Sequence, residues 1–122
     1  MKQALNVFML LGLIYAGAQT MAAWGHAFPD HADPRVGSTI SASPPQARVW
    51  FDSELENEFS EIRIENADSQ RVDKGDGHVD KSDAKLLEAG LPPLPAGIYR
   101  VIWTAVSRDG HRTEGSYTFT VK

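Results

Sequence analysis

From Glu114 to Val121 the chain reads EGSYTFTV, with Tyr117, Phe119 and Val121 alternating against Ser116, Thr118 and Thr120. Side chains alternate in this way only along an extended strand, so the segment belongs in a sheet with one buried and one wet face. Just before it, Ile98 to Ser107 (IYRVIWTAVS) is rich in β-branched and aromatic residues, and the short SRDGHRTEG run joins the two. The same period of two recurs upstream. Ala47 to Phe51 sets Val49 and Phe51 against Arg48, Trp50 and Asp52, and Phe59 to Glu65 sets Ile62 and Ile64 against Glu61, Arg63 and Glu65. Ala84 to Glu88 reads as a shorter strand, while Ser43-Pro44-Pro45 and GLPPLPAG (Gly90 to Gly97) punctuate the chain. Asp68 to Asp83, with five aspartates around Gly75 and Gly77, reads as a loop or weak hairpin. Helical stripes and internal repeats are absent. The expected class is all-β: a small Greek-key β-barrel or sandwich.

The N-terminal end is of another kind. Lys2 precedes an apolar run from Val7 to Ala18, too short to span a bilayer and suited to the core of a secretory leader. Ala23 and Gly25 supply the small residues that a processing site requires, which predicts a signal peptide over residues 1–25 and a single domain over 26–122. Cuts after Ala22 or Ala23 satisfy the same rule. Lys2 is the only charged side chain before His26, so processing moves the net charge from −4 to −5. That balance disfavours nucleic acid and anionic membrane surfaces as partners. The chain has no cysteine, and its three methionines (Met1, Met9, Met21) all precede His26, so the mature domain has neither thiolate nor thioether. With no lipid attachment site and no second apolar span, the processed product is expected to be free of the membrane.

Two features suggest metal chemistry. Asp109 and His111 lie two residues apart in the connection between the closing strands, and an extended backbone there would point both side chains the same way. Asp-Gly is also a common hairpin tip, and a solvated turn explains the pair equally well. The second feature is His26. A new N-terminal histidine offers its α-amine and Nδ1 to one metal, and a second histidine can add a third nitrogen, an arrangement called a histidine brace that suits tetragonal Cu(II). Chance placement at the processing site is the competing explanation. His31, five residues on, is a further candidate in an exposed segment, and His78 with Asp76 or Asp80 a weak one. The aspartate-rich run does not fit an EF-hand, because Asp73 as first ligand would leave Gly75 and Ala84 where oxygen ligands are needed. No G-x-S-x-G setting or nucleophile-base pair points to hydrolysis.

The start HAFPDHADPRVGSTISASPPQARVWFDSEL, the PAGxYxVxWxxxSxDGH run from Pro95 to His111 and the G-x-Y-x-F-x-V ending from Gly115 resemble the CopC family of periplasmic copper-binding, copper-resistance proteins. The resemblance covers essentially the whole chain after the leader. It implies a Greek-key fold that is cupredoxin-like or immunoglobulin-like in outline, and one Cu(II) per chain held by His26, Asp109 and His111. It further implies a periplasmic monomer that sequesters or delivers copper without catalysis, with a CopD-type inner-membrane copper transporter as a partner. Two departures stand out. Some members hold Cu(I) in a methionine-rich loop, whereas this domain has no thioether, so no such site is expected. The family's Phe-Ser-Glu-x-Leu is here Phe51-Asp52-Ser53-Glu54-Leu55, which puts Ser53 in the glutamate's place and leaves the roles of Asp52 and Glu54 open. The alternatives are a copper-dependent oxidative enzyme, for which the chain is short, and a metal-free immunoglobulin-like interaction module.

Overall fold

The structure, a computed structural model, describes residues 27–122; the leader and His26 lie outside the described residues. Eight strands follow one another: β1 (Pro29–Asp33), β2 (Thr39–Ile40), β3 (Gln46–Phe51), β4 (Glu61–Glu65), β5 (His78–Val79), β6 (Leu86–Gly90), β7 (Gly97–Val106) and β8 (Arg112–Val121). Among the described residues a 3-10 turn, Asn57–Phe59, precedes β4. The strands form two four-stranded sheets, ordered β1-β3-β6-β5 and β2-β8-β7-β4. The sheets remain separate, so the fold is a β-sandwich and not a closed barrel. Within each sheet the pairing is antiparallel except for β2, which lies parallel to β8.

The alternation read from the sequence is the alternation of burial. Ala47, Val49 and Phe51 of β3 and Ile62 and Ile64 of β4 face inward, as do Tyr117, Phe119 and Val121 of β8. Phe119, Ile64, Leu87, Val49 and Val101 are the largest fully buried side chains. Each gains about 1.5–3 kcal/mol from leaving water, and together they join the two sheets. Trp103 meets Phe51 edge-to-face with ring centroids 5.0 Å apart, and Tyr99 stacks on Phe119 at 5.6 Å. Gly115 pairs with Trp103 across β7 and β8, and a Cβ there would lie 2.6 Å from the indole. Only glycine lets the ring lie this close to the neighbouring strand.

Some expected boundaries move. Phe59 belongs to the 3-10 turn and is exposed, so β4 starts two residues later than the pattern suggested. The short strand predicted at Ala84 to Glu88 runs instead from Leu86 to Gly90. Asp68 to Asp83, expected as a loop or weak hairpin, contains the two-residue β5, which pairs antiparallel with β6. No helix among the described residues is long and apolar enough to cross a membrane.

Candidate metal centre

β7 and β8 are the longest strands, and they pair without a break from Gly97↔Val121 to Val106↔Arg112. Their register therefore holds the connecting turn in one place. Within it, the Gly110 amide donates to the Ser107 carbonyl at 2.9 Å and the Ser107 amide to the His111 carbonyl at 2.9 Å. Gly110 has φ +92, a conformation other residues rarely adopt. The turn brings Asp109 and His111 into contact, with His111 Nδ1 3.1 Å from Asp109 Oδ2. The expected pairing thus holds, but a folded turn produces it, not an extended backbone.

Around the pair the local hydrogen bonds all favour a charged carboxylate. The buried Ser107 hydroxyl donates to Asp109 Oδ1, which also accepts from the His111 amide at 3.2 Å. The Ser107 hydroxyl first, and then the His111 imidazole and amide, hold the Asp109 carboxyl far below the usual carboxylate range against a smaller desolvation effect. With its proton on Nδ1, the His111 ring donates to Oδ2 and keeps the Nε2 lone pair for a metal, an orientation common among ligating histidines. The side chains of His111 and Asp109 are 58% and 45% exposed, which leaves an ion access to both.

The first described residues, Ala27 and Phe28, are fixed beside this turn. The Ala27 carbonyl accepts from Thr113 Oγ1 at 2.5 Å, and Ala27 itself is fully buried. The Phe28 amide donates to Asp52 Oδ1 at 2.9 Å, and the Asp52 amide returns a bond to the Phe28 carbonyl at 2.9 Å. Asp52 is therefore an anchor for the N-terminal segment. Glu54 pairs with Arg108, and its carbonyl accepts from the Arg108 amide at 3.1 Å, so it braces the turn from below. Ser53 donates to Asp52 Oδ1 at 3.3 Å. Sequence reasoning did not find the roles of Ser107, Thr113 and Asp52. Their types are ordinary, and two of the contacts join residues 24 and 86 positions apart.

The other candidates separate from the pair. His26 lies outside the described residues. His31 stacks on Trp50 with centroids 4.4 Å apart, and its Nδ1 lies 3.0 Å from Asp30. His78 sits on β5 in a group with Asp80 and the unanticipated Glu88, while Asp76 caps the Gly90 amide at 2.7 Å. Asp73, in the rejected calcium loop, is spent on Arg71 and on the amides of Ile64 and Gly75.

Comparison with known proteins identifies the family of the chain. The CopC domain model matches residues 30–122. Copper resistance protein C of Escherichia coli is 30% identical over 97% of this chain and 98% of its own length. Among solved structures, CopC from Methylosinus trichosporium OB3b is 31% identical with a TM-score of 0.74, covering 80% of this chain and 94% of that one. PcoC, a methionine-rich copper resistance protein from Escherichia coli, is 33% identical with a TM-score of 0.67, covering 80% and 99%. With the CopC domain model matching residues 30–122, nearly all of the described sandwich, this chain belongs to the CopC family.

Proposed function

We propose that the chain is cut before His26, exported to the periplasm, and there binds one Cu(II) for sequestration or hand-over, without catalysing a reaction. The ligands are the α-amine and imidazole of His26, the imidazole of His111 and the carboxylate of Asp109. The observation that carries this reading is the anchoring of Ala27. Its carbonyl is bonded to Thr113, two residues from His111, and the next residue is tied to Asp52. One peptide step of about 3.8 Å joins residue 26 to that anchor, which supports a terminal amine and imidazole as partners of the Asp109–His111 pair.

The donor set is chemically suited to the ion. Imidazole and amine nitrogens with one carboxylate match the tetragonal preference of Cu(II), and the low proton affinity of Asp109 keeps an anionic donor available throughout the neutral range. Without a thioether or thiolate after the leader, the domain has little to offer Cu(I). Two ligands on the chain's first residue let a competing protein remove them stepwise, which suits delivery to a membrane partner of the CopD type. The α-amine, with an ordinary pKa near ~8, has to lose its proton to bind, so affinity rises with pH through neutrality.

The test uses two chains, one starting at His26 and one with Gly25 retained, in a competitive Cu(II) titration followed by EPR. The expected outcome is one tightly bound Cu(II) with a nitrogen-rich type 2 spectrum in the first chain, and binding weaker by orders of magnitude in the second. Equal binding by both would remove His26 from the site.

A further inference from the structure

The outward face of the first sheet carries a second group of metal-ligating side chains. In register across β3, β6 and β5, Arg48 lies opposite Glu88 and Glu88 opposite His78. Glu88 is only 5% exposed although it points away from the core. Its Oε2 accepts from Arg48 Nε at 3.1 Å, and its Oε1 faces His78 Nε2 at 3.4 Å. Asp80, just beyond β5, adds a carboxylate oxygen, and the three ligand atoms lie within 4.8 Å of one another.

The tautomer of His78 makes this group more than a polar patch. Its Nδ1 lies 2.7 Å from the Asp76 backbone carbonyl. A carbonyl oxygen only accepts, so Nδ1 carries a proton and donates it. Nε2 faces Oε1 of a buried carboxylate. Two such acceptors are bridged by a second ring proton, by a water that donates to both, or by a metal ion. The geometry fits the metal. Two ligands about 2.1 Å from a tetrahedral Zn(II) stand ~3.4 Å apart, matching the Nε2 to Oε1 separation of 3.4 Å. A backbone carbonyl on the far ring nitrogen is the outer partner that ligating histidines ordinarily have. Arg48 on Oε2 holds Glu88 so that Oε1 is directed at the ring.

We propose that His78 Nε2, Asp80 and Glu88 Oε1 form a binding site for a divalent ion of the Zn(II) type, independent of the Asp109–His111 centre. One nitrogen and two oxygens suit Zn(II), and the solvent-facing recess beside Asn57 and Lys81 admits water as the fourth ligand. The site depends on neither the cut at His26 nor the binding of copper.

Zn(II) alone is the probe, titrated at pH 7.5 into the chain beginning at His26 against a chromophoric chelator, with the imidazole nitrogens followed by long-range 1H-15N NMR. In a His26→Ala, Asp109→Asn, His111→Gln background, which removes every side-chain ligand proposed for the other centre, one Zn(II) is expected to bind and to shift His78 Nε2 while Nδ1 stays protonated. Loss of an outer partner costs metal affinity about 10–100-fold, so His78→Gln, which removes a ligand, is expected to cost at least ~100-fold. Asp80→Asn, isosteric and on the surface, should weaken binding about tenfold or more with an unchanged amide spectrum. Glu88 is left intact because Arg48 depends on it. Zn(II) affinity that survives His78→Gln, or His78 resonances that ignore the ion, would overturn the proposal and leave a proton- or water-bridged cluster.

Discussion

Single side chains decide how the candidate copper centre behaves, and Ser107 is the most informative. Its buried hydroxyl is the largest influence lowering the Asp109 carboxyl, so Ser107→Ala is expected to move that carboxyl back toward its ordinary value. The same change leaves Oδ1 with the weaker bond from the His111 amide and loosens the Oδ2 contact that orients His111. Cu(II) affinity should fall by about 10–100-fold, as for other outer partners of a ligand, and a competition titration reads it directly. Asp73 provides a stability counterpart far from the metal. Burial alone would raise its carboxyl, but the Arg71 guanidinium and the amides of Ile64 and Gly75 outweigh burial and hold it low. A carboxyl lowered in the fold contributes stability above its unfolded value near ~3.9 and loses it as pH falls through the folded value. Asp73→Ala should therefore cost about 1–3 kcal/mol at pH 7, by orphaning the Ile64 amide, and flatten the loss of stability below pH ~4 in urea titrations. At this scale the sequence displayed the candidate ligands but not their supports. An Asp-x-His spacing is visible in one line of residues, whereas Ser107, Thr113 and Asp52 act through contacts that only the folded chain creates.

The β7–β8 hairpin is the element that carries the candidate site, and its rigidity depends on a close approach at Gly115. A methyl there would meet the Trp103 ring, which is itself held between Phe51 and the opposite strand. Gly115→Ala is expected to destabilise the domain by about 1–3 kcal/mol, the cost of forcing a side chain into a filled space, measured as a lower urea midpoint with unchanged slope. Both strands of this hairpin were legible because each is long, half-buried and strictly alternating. β1, β2 and β5 were not. β1 carries Asp30, His31 and Asp33 on a largely exposed edge, and β2 and β5 have two residues each, too few for a period to register. These short strands exist because long-range pairing with β3, β8 and β6 supplies their hydrogen bonds, not because their own residues favour extension. His31 illustrates the point: as an exposed histidine near His26 it reads as a candidate ligand, but pairing of β1 with β3 sets it against the Trp50 ring.

At the scale of the whole molecule, the proposed centre ties the first residue of the domain to its last hairpin, so metal binding and global stability are coupled. An ion that binds only the folded chain stabilises it by mass action, by about 2.7 kcal/mol when free ion exceeds the dissociation constant a hundredfold. For a domain of this length that corresponds to a rise in Tm of roughly 10–20 °C. Calorimetry with excess Cu(II) should show this rise for the chain starting at His26, a much smaller one when Gly25 precedes it, and full reversal on adding a chelator. The pH dependence has a definite sign. Asp109 is ionised across the neutral range, so it contributes no variation there. The α-amine has to deprotonate. Imidazole ligands also have to deprotonate, but below neutrality, so the copper-induced rise should keep growing between pH ~7 and ~8.5 in the His26 chain and level off above pH ~7 in the extended one. A rise of equal size in both chains would mean that copper stabilises the sandwich through side chains alone. The terminus would then have no part in holding the ion.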